Sequence, residues 1–277
     1  MKTTFHSIAI ASALALIALS PAAAQQPAAK AAQPAAIPGT LTLKNGAEVT
    51  GYIRWLPQAR KYVVAKGQGA QAVSQDVPAS DVAGVKVNKP DRLDAAINLV
   101  KTGAPQKAIP LLEEIVKRYA KLGWDEQAGR WLARARLDTG DTSAALQICE
   151  AFVKARPAAA YLGDIAPIYW SALLKANRAD DVKKLLVRAI ANGSANDSAA
   201  ALVMRGDILM EEKEPFNALK DGYLRTVLLY ENCHDVQPEA LYKAAKAFEA
   251  LSRNAEAQKL REKLLKRYPR SEFAGKI

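Results

Sequence analysis

Two histidines and two cysteines in 277 residues leave little material for a metal centre or a nucleophile. Only His234 has acidic and thiol neighbours, Glu231, Cys233 and Asp235. Residues so close in sequence cannot readily converge on one ion, and no second cluster completes a tetrahedral set. A Gly-rich phosphate loop and a Gly-x-Ser-x-Gly elbow are both missing. The paired acids Asp180-Asp181 and Glu211-Glu212 fall at helix ends, where water is their default partner. No stretch approaches the roughly 18 apolar residues of a membrane-crossing helix, and no cysteine near the N-terminus offers a lipid anchor. These gaps argue against an enzyme, a metal and a cofactor.

What the chain does have begins with Lys2, the unbroken small or apolar run Ile8–Leu19, and Ala22-Ala23-Ala24 before Gln25. That order of charge, short apolar core and small-x-small site reads as a signal peptide over residues 1–24, cleaved near Ala24. The expected location is periplasmic. Residues 25–38, rich in Ala, Pro and Gln, read as a flexible linker. The formal net charge of +11 suggests an acidic partner, and export makes nucleic acid the least fitting one.

Residues 39–88 change to a period of two. Leu41 and Leu43 alternate with polar residues, and Asn45-Gly46 supplies a tight hairpin turn, its two positions both expected at positive φ. Val49, Tyr52 and Ile53 return, with Gly51 permitting a bend, and Tyr62-Val63-Val64, Val73–Val77 and Val82–Val87 follow as three more strands. Five short strands with this hairpin chemistry resemble a small Sm-like barrel or a curled sheet. A unit this small has a marginal core, so it is expected to dock on the first helices through Trp55.

From residue 89 to 277 helical periodicity takes over and repeats itself. Ala108, Ala145, Val182, Ala218 and Ala257 recur at spacings of 37, 37, 36 and 39 residues. Breaks fall at Thr102-Gly103, Thr139-Gly140-Asp141, Ala176-Asn177, Asn192-Gly193, Glu212-Lys213 and Ser252-Arg253-Asn254. A period in the thirties means stacked helix pairs, each burying its apolar face on the next. Cys149 and Cys233 then stand two pairs apart, too far for a disulfide between neighbouring backbones.

These pairs resemble tetratricopeptide repeats. The second carries Ala133, Gly140, Ala145, Cys149, Phe152 and Pro157 where that family places its small, turn, apolar and closing residues. The fifth matches with Ala245, Ser252, Ala257, Leu264 and Pro269, and the first with Ala96, Gly103, Ala108, Leu112 and Ile115. The fourth has Gly206 and Ala218 but Gly222 and no closing Pro. The third puts Trp170 in the small slot, which implies wider packing or a shifted register. The resemblance implies a mainly α fold, a right-handed superhelical solenoid of about five pairs behind the β module.

It also implies a concave groove lined by Gln127, Arg130, Arg134, Ser171, Lys175, Asp207, Tyr242 and Lys246. Arg130 and Arg134 stand one helical turn apart, so both could meet one carboxylate. Between Leu241 and Ile277, ten cations face four acids. Lys259, Lys263, Lys266, Arg267 and Arg270 form the basic surface of that stretch. The expected function is a scaffold in the bacterial cell envelope that binds a protein or peptide in the groove. The alternative is a binder of cell-wall polymer or acidic lipid through the basic C-terminal helices.

Overall fold

The computed structural model describes residues 36–67 and 73–277. The expected signal peptide and linker residues 25–35 lie outside them. The described residues open with β1 (Ile37–Leu43), β2 (Glu48–Leu56), β3 (Lys61–Lys66), β4 (Val73–Pro78) and β5 (Val82–Val87). All neighbours are antiparallel, in the order β4-β3-β2-β1-β5. The sheet is open, with β4 and β5 at its edges. Ile37 and Pro38, read as the end of the linker, already belong to β1 and pair with Ile53 and Tyr52.

Alternation decides which face is buried. Ile37, Leu41, Val49, Ile53, Tyr62, Val64 and Val77 all point into one core. Gly39 and Gly51 pair across β1 and β2, and a Cβ on either would strike a neighbouring strand at 2.5 Å. Only glycine lets the strands approach so closely. At the first hairpin Gly46 alone adopts positive φ, at 84°. Asn45 instead accepts the Ala47 N–H at 3.0 Å, so the turn is a longer one closed by a left-handed glycine.

The sheet docks through a loop, and Trp55 plays a supporting part at the edge of the core. Leu122, between the second and third helices, is buried in the sheet core. The Tyr62 hydroxyl donates to the Lys121 carbonyl at 3.0 Å, and Trp124 Nε1 donates to the Val87 carbonyl at 3.2 Å.

Five helix pairs follow: α1 (Leu93–Lys101) with α2 (Pro105–Arg118), α3 (Trp124–Asp138) with α4 (Thr142–Ala155), and α5 (Ala166–Lys175) with α6 (Ala179–Asn192). In the fourth, α7 (Ala195–Glu211) pairs with α8 (Pro215–Ala218), a π-helical turn (Leu219–Tyr223) and α9 (Leu224–Leu229). The last pair is α10 (Gln237–Ala250) and α11 (Asn254–Arg267). No helix among the described residues is long and apolar enough to cross a membrane.

One turn geometry joins both helices of every pair. Gly103, Gly140, Asn177, Lys213 and Ser252 each adopt positive φ, between 59° and 85°. The next N–H reaches back to a carbonyl five residues earlier, from Ala104 to Leu99 in the first pair and from Arg253 to Phe248 in the last. This is the Schellman closure, which satisfies the carbonyls a helix end leaves bare. The repeating small residues Ala108, Ala145, Val182, Ala218 and Ala257 are all fully buried, which is what close helix packing requires of them.

Two places depart from the pattern. Trp170 sits in the small slot of α5 at 1% exposure, its Nε1 donating to the Ala160 carbonyl at 2.9 Å. The indole is accommodated because α5 starts late: residues 157–165 form a short 3-10 turn and bends, with Ala159 and Ala160 packed beside the ring. In the fourth pair Gly206 of α7 faces Gly222 of the π turn. A Cβ on Gly222 would lie 2.7 Å from the Gly206 Cα, so here backbone packs directly on backbone.

Cys149 and Cys233 are both buried free thiols. Burial pushes the Cys149 thiol up to about 12, so it behaves as a small apolar residue.

Candidate functional site

The late start of α5 opens a cleft of about 550 Å³ between α3 and the 158–165 segment. Phe152, Leu162 and Ile165 give it apolar walls, and Gln127 and Arg130 reach it from α3. Arg130 forms an ion pair with Asp164, whose carboxylate is 75% exposed while the arginine side chain is 26% exposed. Arg156 pairs with Glu126 at 2.9 Å on the same rim. Desolvation by burial lowers the Arg130 pKa, so the cation is partly stripped of water and held by an exposed counter-charge.

The cleft's far wall is pinned by Asp197 at the start of α7. Its carboxylate accepts from the Gly163 N–H at 2.7 Å, from the Ser194 N–H at 3.0 Å and from the Ser194 hydroxyl at 2.7 Å. Ser194 completes a reciprocal capping box. Although burial alone would raise the Asp197 pKa, these hydrogen bonds hold it below the ordinary value. The carboxylate's contribution to stability is therefore complete above the unfolded aspartate value of about 3.9. It is lost as pH falls from there through the lower folded value. Asp197→Ala should cost about 1–2 kcal/mol at neutral pH and flatten the melting-temperature curve in that acid window. An unchanged curve would show that the wall is not held this way.

A second cavity, about 310 Å³, is lined by Val100, Lys101, Trp131, Arg134, Asp138 and Glu272. Arg134 Nε donates to both Asp138 oxygens at 2.9 Å, and the Lys101 ammonium lies 5.4 Å from the centre of the Trp131 ring. Arg130 and Arg134 therefore do not share one carboxylate. They face different cavities, each with its own counter-ion.

The other expected groove residues are more occupied than their positions suggest. Lys175 donates to the Leu137 carbonyl at 3.1 Å and caps the end of α3. Asp207 is a structural tie: it accepts from Tyr223 at 2.8 Å and from Lys243 at 2.6 Å, and Lys243 also pairs with Glu239 at 2.6 Å. Burial raises the Asp207 pKa against the pull of Lys243. Ser171 turns its hydroxyl to the Pro167 carbonyl of its own helix at 2.9 Å. Tyr242 packs on Phe273 with ring centres 5.8 Å apart, and Lys246 pairs with Glu249 at 3.3 Å.

On the basic surface Lys263 and Arg267 converge on Glu231. Lys259, Lys266 and Arg270 are exposed and have no ion-pair partner among the described residues. Sequence reasoning missed Lys101, Trp131, Arg156, Asp164 and Glu272. The signal for Asp164 was Trp170 itself, since a large ring in a small slot must displace backbone nearby.

Residues 239–271, spanning most of α10 and all of α11, match the family model described as tetratricopeptide repeat. No curated protein sequence matches the chain. Among solved structures, a thermophilic TPR protein of Thermus thermophilus is similar, with 21% identity and a TM-score of 0.48. That match covers 67% of this chain and 95% of the other. MamA from AMB-1 is similar at 18% identity and a TM-score of 0.34, over 65% of this chain and 91% of its own.

Proposed function

We propose that this chain, a tetratricopeptide repeat protein, is a non-enzymatic scaffold that holds a protein partner in the bacterial envelope. The observation that carries the reading is Arg130. Its side chain is partly withdrawn from water beside an apolar-walled cleft, and its counter-ion is an exposed aspartate on a loop. Because Asp164 is exposed, water screens the pair and keeps its contribution small, about 0–1 kcal/mol, so a carboxylate on a partner segment can displace Asp164 at little cost. A planar guanidinium then offers it a two-pronged, charge-assisted contact, while the cleft walls take apolar side chains. The signal-like residues 1–24 support the periplasm as the place where this happens.

The test uses the full chain as bait in an envelope extract from its own cell, beside a variant carrying Arg130→Glu alone, since Arg134 faces a different cavity. A partner captured by the first and lost by the second supports the groove; equal capture sinks it. Fractionation of a tagged chain tests the location.

The exposed Lys259, Lys266 and Arg270 support a second reading, attraction to an anionic surface, because exposed Leu265 lies between the two lysines on α11, with Arg270 in the turn just beyond it. Binding to phosphatidylglycerol vesicles that falls steeply with salt would favour it.

A further inference from the structure

We propose that the outer side of the last three helix pairs docks on an anionic phospholipid bilayer. Exposed apolar side chains enter the acyl boundary, and Arg205 receives a headgroup phosphate. The inference rests on the anionic-surface reading above and deepens it, naming the partner and moving the main contact from α11 to α6, α8 and α9.

Every exposed large apolar side chain on a helix of the described residues lies on the second helix of one of these pairs. They are Val187 on α6, Phe216 on α8, Leu228 and Leu229 on α9, and Leu265 on α11. The first four are between 60% and 71% exposed. Successive helical residues stand about 100° apart, so Val187, five after the buried Val182, points roughly opposite to it. Phe216, two before the buried Ala218, does the same. The second helices of the first two pairs, α2 and α4, expose no such residue. An apolar row of this kind marks a surface that meets something apolar. The three second helices are also neighbours. One cavity of about 390 Å³ runs from α6 across α7 to the π turn, and Glu231, just beyond α9, receives Lys263 and Arg267 of α11.

The charges say what that apolar partner carries. Residues 179–192, 215–229 and 254–267 hold ten cations and five acids, whereas α2 and α4 hold four and three. Val187 has Lys183 and Lys184 one turn before it, and Leu228 and Leu229 have Arg225. Lys184, Arg225, Lys259 and Lys266 have no ion-pair partner among the described residues. Nor has Arg205, which lines the cavity with Leu186, Val187 and Leu209. Burial lowers its pKa, and the like charge of Arg225 lowers it further against the opposing Asp221. A half-buried guanidinium beside a second one is short of an anion, and the paired oxygens of a phosphate fit its fork. Apolar side chains set among unpaired cations match an anionic lipid interface. A wall polysaccharide would satisfy the charges and leave the apolar row in water. None of the residues expected in the groove lines this cavity, so a protein partner and a bilayer need not compete.

The test is flotation of the full chain with vesicles of equal parts phosphatidylglycerol and phosphatidylcholine, beside vesicles of phosphatidylcholine alone. Wild type should bind the first and not the second. Val187→Ser, Phe216→Ser, Leu228→Ser and Leu229→Ser together should weaken binding by about tenfold or more. Arg205→Gln with Arg225→Gln should weaken it by about tenfold as well. Wild-type affinity in either variant would overturn the proposal, as would capture by purified wall polymer with none by the vesicles. If the serine variant melts early by circular dichroism, Leu228→Trp decides: brominated acyl chains in the vesicles should quench the added fluorescence, and an unquenched ring sinks the idea. Lys259→Glu with Lys266→Glu separates the two readings. Loss of binding in that variant, with none in the serine variant, keeps the anionic-surface reading and removes only this inference. No binding to phosphatidylglycerol vesicles removes both.

Discussion

Trp170→Ala is expected to lower the stability of the chain by about 3–5 kcal/mol. For a body of this size that is a fall in melting temperature of roughly 10 °C. The ring is 1% exposed and packs in the core shared by both helices of its pair and the segment before it. Removing it leaves a cavity, and it also strips the Ala160 carbonyl of its 2.9 Å donor. Because the same ring props open the 158–165 segment, the loss should not stay local. Limited proteolysis should cut first between Arg156 and Ile165, and the Arg130–Asp164 pair should loosen. Urea titration with far-ultraviolet circular dichroism measures the first effect. A loss below about 1 kcal/mol would mean that the site collapses freely and that α5 does not start late because of Trp170.

Gly222→Ala is the other large effect, at about 3 kcal/mol. In an ordinary helix this substitution is favourable by up to about 1 kcal/mol. Here the added carbon would sit 2.7 Å from the Gly206 Cα and 2.9 Å from the Leu202 carbonyl oxygen. Neither is a side chain that can rotate away, so α7 and the π turn must separate. Tyr223, wedged beside Gly206 with its hydroxyl on Asp207, would be displaced with them. Thermal melting compares the two chains directly; a Gly222→Ala protein as stable as wild type would show that the backbones have slack.

The helical period was readable because its markers are limited by packing. A residue that must lie flat between two helices is small at every recurrence, and Ala108 through Ala257 show it. The β strands were readable for the same kind of reason, since the pleat forces alternation. What stayed hidden depended on partners distant in sequence. Asp138 is four residues from Arg134 and its pairing could have been read from helix geometry. Asp164 is 34 residues from Arg130 and reaches it only because Trp170 holds a loop aside. Gly206 and Gly222 were visible as oddities of the fourth pair, but that they face each other is a tertiary fact. The sheet's anchor was missed because Leu122 is an isolated leucine in a turn, with no periodicity to mark it.

Leu122 also carries a mechanical meaning. It is sealed in the core of the sheet, while Gly123, the next residue, already lines the cleft that holds Arg130. One peptide unit, about 3.8 Å between Cα atoms, is the whole distance between the two. The sheet is gripped a second time through Trp124 and the end of β5. Tension applied to the five strands therefore has no slack linker in which to dissipate, and it arrives at the lip of the cleft as a displacement of the first turn of α3.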